Sequence, residues 1–171
     1  MTNHSRPAEI TIDHFNVDQH DMAMIAAAHL AIRLKQREDR ENWTQIQLDI
    51  TNSQTDLLAI PEYYDKPSGK FFVATDHSVN AYAGFVGIKR LGLQAGELKR
   101  LAVIPEYRGL QLGLRLAQSA INWSFESGIT TLSLVTGQKE RARELVYEPL
   151  GFIITSTDEE LGDFHMLLDL S

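Results

Sequence analysis

The chain has 171 residues, 43% of them hydrophobic and 23% charged, a length that predicts one domain with a core of its own. It has no cysteine, which excludes a disulfide framework, a thiol nucleophile and every thiolate metal site. Sixteen Lys and Arg against 23 Asp and Glu leave a net charge of −7, which argues against duplex nucleic acid as the main partner, because neutralising phosphates needs a basic face.

No repeat or linker-like stretch divides the chain, so residues 1–171 are expected to form a single domain. The first seven residues are polar and lack the apolar stretch of a secretory leader. The nearly apolar run 22–32 is about half of the ~20 residues a membrane span needs, and His29 interrupts it. The expectation is a soluble, cytoplasmic protein with no membrane contact.

Ile10-Thr11-Ile12 alternates as a short strand does. Asp18 is placed to cap a helix running to about Arg37. Met22, Ile25, Ala28, His29 and Ile32 share one stripe of it, and Arg33, Lys35 and Arg37 sit at the negative end of its dipole. Trp43, Ile46 and Ile50 suggest a second, shorter helix, and residues 60–69 read as an ordered loop. Residues 71–75 and 81–88 are strands around a hairpin connection, and residues 97–103 are a third strand. Leu112, Leu116, Ala120 and Trp123, with Ala117, Ile121 and Phe125, describe an amphipathic helix that begins near Leu110 and stops at Gly128. A strand at 131–136, a helix at 139–148, and strands at 152–155 and 165–170 complete the chain. Strand, helix and strand between Glu97 and Thr136 imply a parallel pair, whereas the hairpin before it is antiparallel. The expected architecture is a mixed sheet covered by helices, α/β with α+β character.

One segment carries chemistry: Val103-Ile104-Pro105-Glu106-Tyr107-Arg108-Gly109-Leu110-Gln111-Leu112-Gly113-Leu114. A strand ends, a turn follows and a helix begins, so free N–H groups and the positive end of the helix dipole form a site for phosphate. Glycine lets a ligand approach the backbone where a Cβ would block it. The G-x-x-x-G spacing alone fits a plain strand-to-helix turn equally well, with Gly113 packed on the sheet. The usual nucleotide loops, GxxxxGK[ST] and GxGxxG, are absent.

The run Glu97-Leu98-Lys99-Arg100-Leu101-Ala102-Val103, followed by Pro105-Glu106-Tyr107-Arg108-Gly109, resembles the central Q/R-x-x-G-x-G/A motif of the GNAT (GCN5-related N-acetyltransferase) superfamily. About 35 residues later, Leu145-Val146-Tyr147-Glu148-Pro149-Leu150-Gly151-Phe152 is similar to that family's LY-E-x-LGF segment. The resemblance spans roughly residues 69–152. It implies a GNAT-like twisted sheet, mixed but mostly antiparallel, with a central parallel strand pair and flanking helices. It also implies acetyl-CoA as co-substrate, lying across the splayed edge between the two parallel strands. The cofactor-binding residues it implies are Leu101, Ala102, Val103, Arg108, Gly109, Leu110, Gln111, Leu112, Gly113, Leu114 and Tyr147. Backbone groups of Leu101 and Val103 would hold the pantetheine, and the turn from Arg108 to Gly113 the pyrophosphate. Tyr147 matches the tyrosine that protonates the leaving thiolate. Glu106 stands where the pattern has Gln or Arg, Gln111 where it has its second Gly or Ala, and Glu140 where members often have an Asn that contacts CoA.

An amine is mostly protonated at pH 7, its pKa being near ~10, so it needs a base before it attacks a thioester. Glu97 is the candidate, acting through a water; the plain alternative is a strand-end carboxylate in solvent. The acceptor is expected to be a small-molecule or protein amine, and the acidic balance favours a cationic one. Homodimers are common in the family and are an expectation here.

His14, His20 and His29 lack the i, i+4 helical spacing of a metal pair, so no metal is expected. His29 reads as a core-edge histidine and His165 as a solvent-facing one. Tyr63, Tyr64 and Phe71 fit an acceptor pocket wall or a sheet cap equally. Asp158, Glu159, Glu160 and Asp163 read as a solvated loop. The rival functional readings are an acyl-CoA sensor that has lost catalysis and a protein-interaction module without CoA.

Overall fold

A computed structural model describes residues 9–35, 54–138 and 140–171. The helix expected at Trp43, Ile46 and Ile50 and the helix start at Lys139 lie outside the described residues.

Runs of β-branched and aromatic residues build seven strands: β1 (Ile10–His14), β2 (Lys70–Asp76), β3 (Ala81–Arg90), β4 (Ala95–Val103), β5 (Thr131–Gly137), β6 (Ile153–Asp158) and β7 (Asp163–Asp169). They form one sheet in the order β1-β2-β3-β4-β5-β7-β6. Every neighbouring pair is antiparallel except β4 and β5, whose parallel pairing is closed by the crossover helix α2 (Leu112–Glu126). The mixed, mostly antiparallel sheet with one central parallel pair is the architecture that the sequence implies.

Helices cover both faces. On one, Leu112, Leu116, Ala117 and Ala120 of α2 meet Val86, Ile88, Leu98, Leu132 and Leu134. On the other, Ile25, Ala26 and Ile32 of α1 (Met22–Lys35), with Leu57, Ile60 and Tyr64, meet Phe71, Val73, Phe85 and Ala102. Each of the fully buried Leu, Ile or Phe side chains contributes about 1.5–3 kcal/mol relative to exposure.

β4 changes faces part-way along. Leu98 points to the α2 core and Ala102 to the α1 core, which strict alternation would not allow. The cause is a bulge. Gly87 pairs with Lys99 and Phe85 with Ala102, so Val86 alone opposes Arg100 and Leu101. Arg100 takes φ 61, a left-handed backbone that a side chain tolerates only when its surroundings hold it.

Several boundaries differ from the sequence reading. Asp21, not Asp18, caps α1: its Oδ1 accepts from the N–H of Ala23 at 2.8 Å and of Met24 at 3.1 Å. The loop expected at 60–69 contains a helical turn, Pro61–Asp65, closed by the Lys66 N–H on the Pro61 carbonyl at 2.9 Å. α2 begins at Leu112 instead of Leu110, because Gln111 is left-handed at φ 55. The C-terminal helix is two short turns, Arg143–Tyr147 and Glu148–Leu150, which Pro149 keeps from continuing. Among the described residues no helix is long and apolar enough to cross a membrane.

Candidate active site

The parallel ladder between β4 and β5 is short. Ala95 pairs with Thr131, Gly96 with Leu132 and Glu97 with Ser133, and there the ladder stops. From Leu98 onward the β5-facing edge of β4 has no strand beside it, so a fork opens at the centre of the sheet. Leu101 and Val103 stand along it half-buried, while the Ala102 side chain is committed to the α1 core at 8% exposure. Any ligand in the fork would therefore meet Ala102 through its backbone alone.

The bulge that starts this edge is fastened from behind. Arg100 donates to the Asp56 carboxylate from Nε at 3.0 Å and from a terminal nitrogen at 2.7 Å, and Tyr64 donates its hydroxyl to the same carboxylate at 2.6 Å. Asp56 is 4% exposed. Burial alone would raise its pKa, but the hydrogen bonds from Arg100 and Tyr64 and the guanidinium charge outweigh it and hold the carboxyl below the ordinary value. Beside it, His29 bonds Gln54 at 2.9 Å. Burial, together with the charges of Arg100 and Arg33, lowers the imidazole pKa to about 3, so this histidine is a neutral core residue.

At the far end of β4 the chain enters the candidate phosphate turn. The Tyr107 hydroxyl donates to Asp76 at 3.0 Å and anchors the turn to the end of β2. Arg108, Gly109, Leu110 and Gln111 are exposed, and two of them are left-handed, Gly109 at φ 81 and Gln111 at φ 55. No side chain caps α2, so the N–H groups of Leu112, Gly113 and Leu114 at its first turn have no intrahelical acceptor. A Cβ on Gly113 would lie 3.5 Å from Val146 and 3.6 Å from Val103, so helix start, strand end and the Tyr147 turn meet there. An uncapped helix start beside a glycine turn and an unpaired strand edge suits a pyrophosphate followed by a pantetheine arm.

Tyr147 is buried at 6% exposure, with Phe152 edge-on at 5.8 Å between ring centroids. Burial first, and the nearby Glu140 carboxylate second, raise its hydroxyl above the ordinary tyrosine pKa, while Arg33 acts in the opposite sense. Glu140 itself is engaged: Arg33 of α1 donates to Oε1 at 2.8 Å and Thr136 of β5 to Oε2 at 3.2 Å. Across the fork, Glu97 lies on the opposite face from the α2 core, half-buried, with Lys99 Nζ at 3.4 Å.

The structure thus brings Glu97, Leu101, Ala102 and Val103 onto one strand, Arg108 to Leu114 onto the turn and helix start that follow, and the short turn that carries Tyr147 beside the helix start through Val146. Of the pocket-wall trio, Tyr64 and Phe71 are fully buried core residues, and Tyr63 is half-exposed over the site face. His165 is exposed, as are Glu159 and Glu160 in the β6–β7 turn. Among the described residues no group of three or more His, Cys, Asp or Glu side chains could hold a metal. The Arg33–Glu140 and Arg100–Asp56 pairs join residues 107 and 44 positions apart, and no local pattern in the sequence announces them.

Comparison with known proteins agrees with this geometry. The acetyltransferase (GNAT) family model matches residues 31–152, well over half of the chain. A protein named IAA acetyltransferase from Azospirillum brasilense is 33% identical over 104 residues, 61% of this chain and 67% of that protein. A GNAT-family acetyltransferase from Staphylococcus aureus Mu50 superposes with a TM-score of 0.77 at 20% identity, covering 95% of this chain and 99% of that one. The PaiA N-acetyltransferase from Thermoplasma acidophilum, solved in complex with coenzyme A, does so with a TM-score of 0.72 at 20% identity, covering 94% and 98%. Motif order, fork and family match converge: the chain belongs to the GNAT acetyltransferase family.

Proposed function

We propose that this protein transfers an acetyl group from acetyl-CoA to a primary amine by direct attack. The observation that carries the reading is the parallel pair that parts after three rungs, with a carboxylate, Glu97, on the last rung, while a buried hydroxyl, Tyr147, stands on the short turn next to Val146, which neighbours Gly113.

The Leu112, Gly113 and Leu114 amides and the Arg108 side chain hold the pyrophosphate, and the free edge of β4 holds the pantetheine by backbone hydrogen bonds from Leu101 and Val103. The bound thioester supplies an acyl carbon already activated for attack. Glu97 takes a proton from the acceptor ammonium through a water, which frees the nitrogen lone pair to form the C–N bond. A strand N–H stabilises the carbonyl oxygen as it gains charge. The attacking nitrogen then sheds its second proton to solvent; as the C–S bond breaks, Tyr147 gives its proton to the departing thiolate, and solvent restores it. The raised pKa suits this task, since Tyr147 stays protonated past its ordinary value of 10.0.

Tyr147→Phe removes one oxygen and keeps the packing against Phe152. Turnover is expected to fall about a hundredfold, while the Kd for acetyl-CoA, read by calorimetry, stays within about threefold. Equal turnover in the variant would remove Tyr147 as the acid. A second reading, acyl-CoA binding without transfer, rests on Glu140, whose carboxylate is held by Arg33 and Thr136 where the family pattern often has an Asn. It requires acetyl-CoA binding with no amine acetylated. The exposed Ile153 and Ile154 on the edge strand β6 support a homodimer as part of the proposal.

A further inference from the structure

Three residues stand in one row across three neighbouring strands. Lys89 of β3 is the register partner of Glu97 of β4, and Glu97 is the partner of Ser133 of β5. The row is the last rung before the fork. Ile88, Leu98 and Leu132, each one position along its strand from a row residue, point into the α2 core, so the row itself faces the α1 side.

The charges on this face do not balance. Lys99 occupies one oxygen of Glu97 at 3.4 Å. Lys89 has no carboxylate within ion-pair distance among the described residues. Its ammonium lies 4.4 Å from the ring centroid of Tyr63 and donates to the Tyr63 hydroxyl at 3.1 Å. A half-buried lysine folded over an aromatic ring has given up hydration that the ring offsets only in part. In a chain of net charge −7 the rung and the neighbouring Lys99 therefore carry, among the described residues, two ammonium groups to one carboxylate.

We propose that the acceptor is an amine that also bears a carboxylate, an amino acid being the simplest case, and that Lys89 is the residue that selects the acid group. Lys89 and Glu97 are register partners on adjacent strands, so both side chains leave the same face, but their charged ends do not pair, because Lys89 leans onto Tyr63. A zwitterion placed between the two ends would set its amine on Glu97, facing the fork, and its carboxylate on Lys89. Overall charge points towards a cationic acceptor, but the described side chains at this rung, Lys89, Lys99 and Glu97, carry the opposite sign, and a ligand meets the site. The inference rests on the acetyl-transfer reading.

The test follows CoA thiol release with the common amino acids, β-alanine and 4-aminobutyrate, each against the amine that lacks its carboxylate, with spermidine alongside. Acid-bearing acceptors are expected to lead by about tenfold or more in kcat/KM. Lys89→Met should reduce that lead about tenfold, through KM, and Lys89→Arg should restore part of it. A lead for the decarboxylated amines or spermidine would overturn the proposal. So would a Lys89→Met variant that slows both classes equally, the mark of a merely structural lysine. If no amine of either class is acetylated, the transfer reading fails by itself, and thermal unfolding in the presence of CoA decides the anchor. Stabilisation by an amino acid that Lys89→Met abolishes supports it, and no stabilisation by any of them overturns it.

Discussion

Gly109 and Gly113 bracket the candidate phosphate turn for different reasons. Gly109 sits at φ 81 in open space, so its backbone demands glycine while its surroundings do not. Gly113 has an ordinary helical backbone, and a Cβ there would make only van der Waals contacts. The fold therefore does not need Gly113; a pyrophosphate lying close to the helix start, as proposed, would. Gly113→Ala should leave the melting temperature unchanged or slightly higher, since alanine is favoured over glycine in a helix by about 0.5–1 kcal/mol. The KM for acetyl-CoA should nevertheless rise about tenfold, an estimate for crowding one phosphate contact. An unchanged KM would place the pyrophosphate elsewhere. Gln111 fills the position where the family pattern has Gly or Ala, and its φ of 55 is a backbone that suits glycine better than any residue with a Cβ.

At the scale of elements, the segment after residue 53 is tied to β4 by the Arg100–Asp56 pair and to α1 by His29 and Gln54. Asp56→Asn would leave the guanidinium facing a neutral amide in a mostly buried setting, and should cost about 3 kcal/mol of stability by denaturant unfolding. A loss below about 1 kcal/mol would mean that the bulge holds itself. His29 contributes to the acid limb. The unfolded chain binds a proton at this residue below its ordinary 6.5, whereas the folded chain resists until about 3, so stability is full above 6.5 and drains away as pH falls between those values. The melting temperature should drop through that window, and less so in His29→Gln; identical slopes would locate the titration elsewhere. The sequence disclosed the strand-turn-helix at 103–114 and the central parallel pair, because each is written in local pattern. It did not disclose the bulge, because an arginine at positive φ carries no signature and is held by a carboxylate 44 positions away. The α1 cap was misplaced for a simpler reason: Asp18 and Asp21 are equally good caps in composition, and only the fold decides between them.

At the scale of the whole molecule, the three rungs between β4 and β5 join a four-stranded piece, β1 to β4, to a three-stranded piece, β5, β7 and β6. Acetyl-CoA seated in the fork would touch both. At about a hundred times its Kd it should add roughly 2.7 kcal/mol to the free energy of unfolding. No shift in melting temperature would mean that the fork does not bind it. The mechanical meaning of so short a ladder goes further. A full-length pair of central strands would make the sheet a single plate, stiff in bending along its whole length. Three rungs make a narrow joint, which α2 bridges by packing on strands of both leaves. The softest motion of such a plate is a scissoring of its two leaves about Ala95 to Glu97, and the widest sweep of that motion falls at Val103 and Gly137, the ends between which a ligand would lie. A ligand spanning both leaves would act as a splint. Its arrival would stiffen parts of the molecule that it never touches, out to the edge strands at either side.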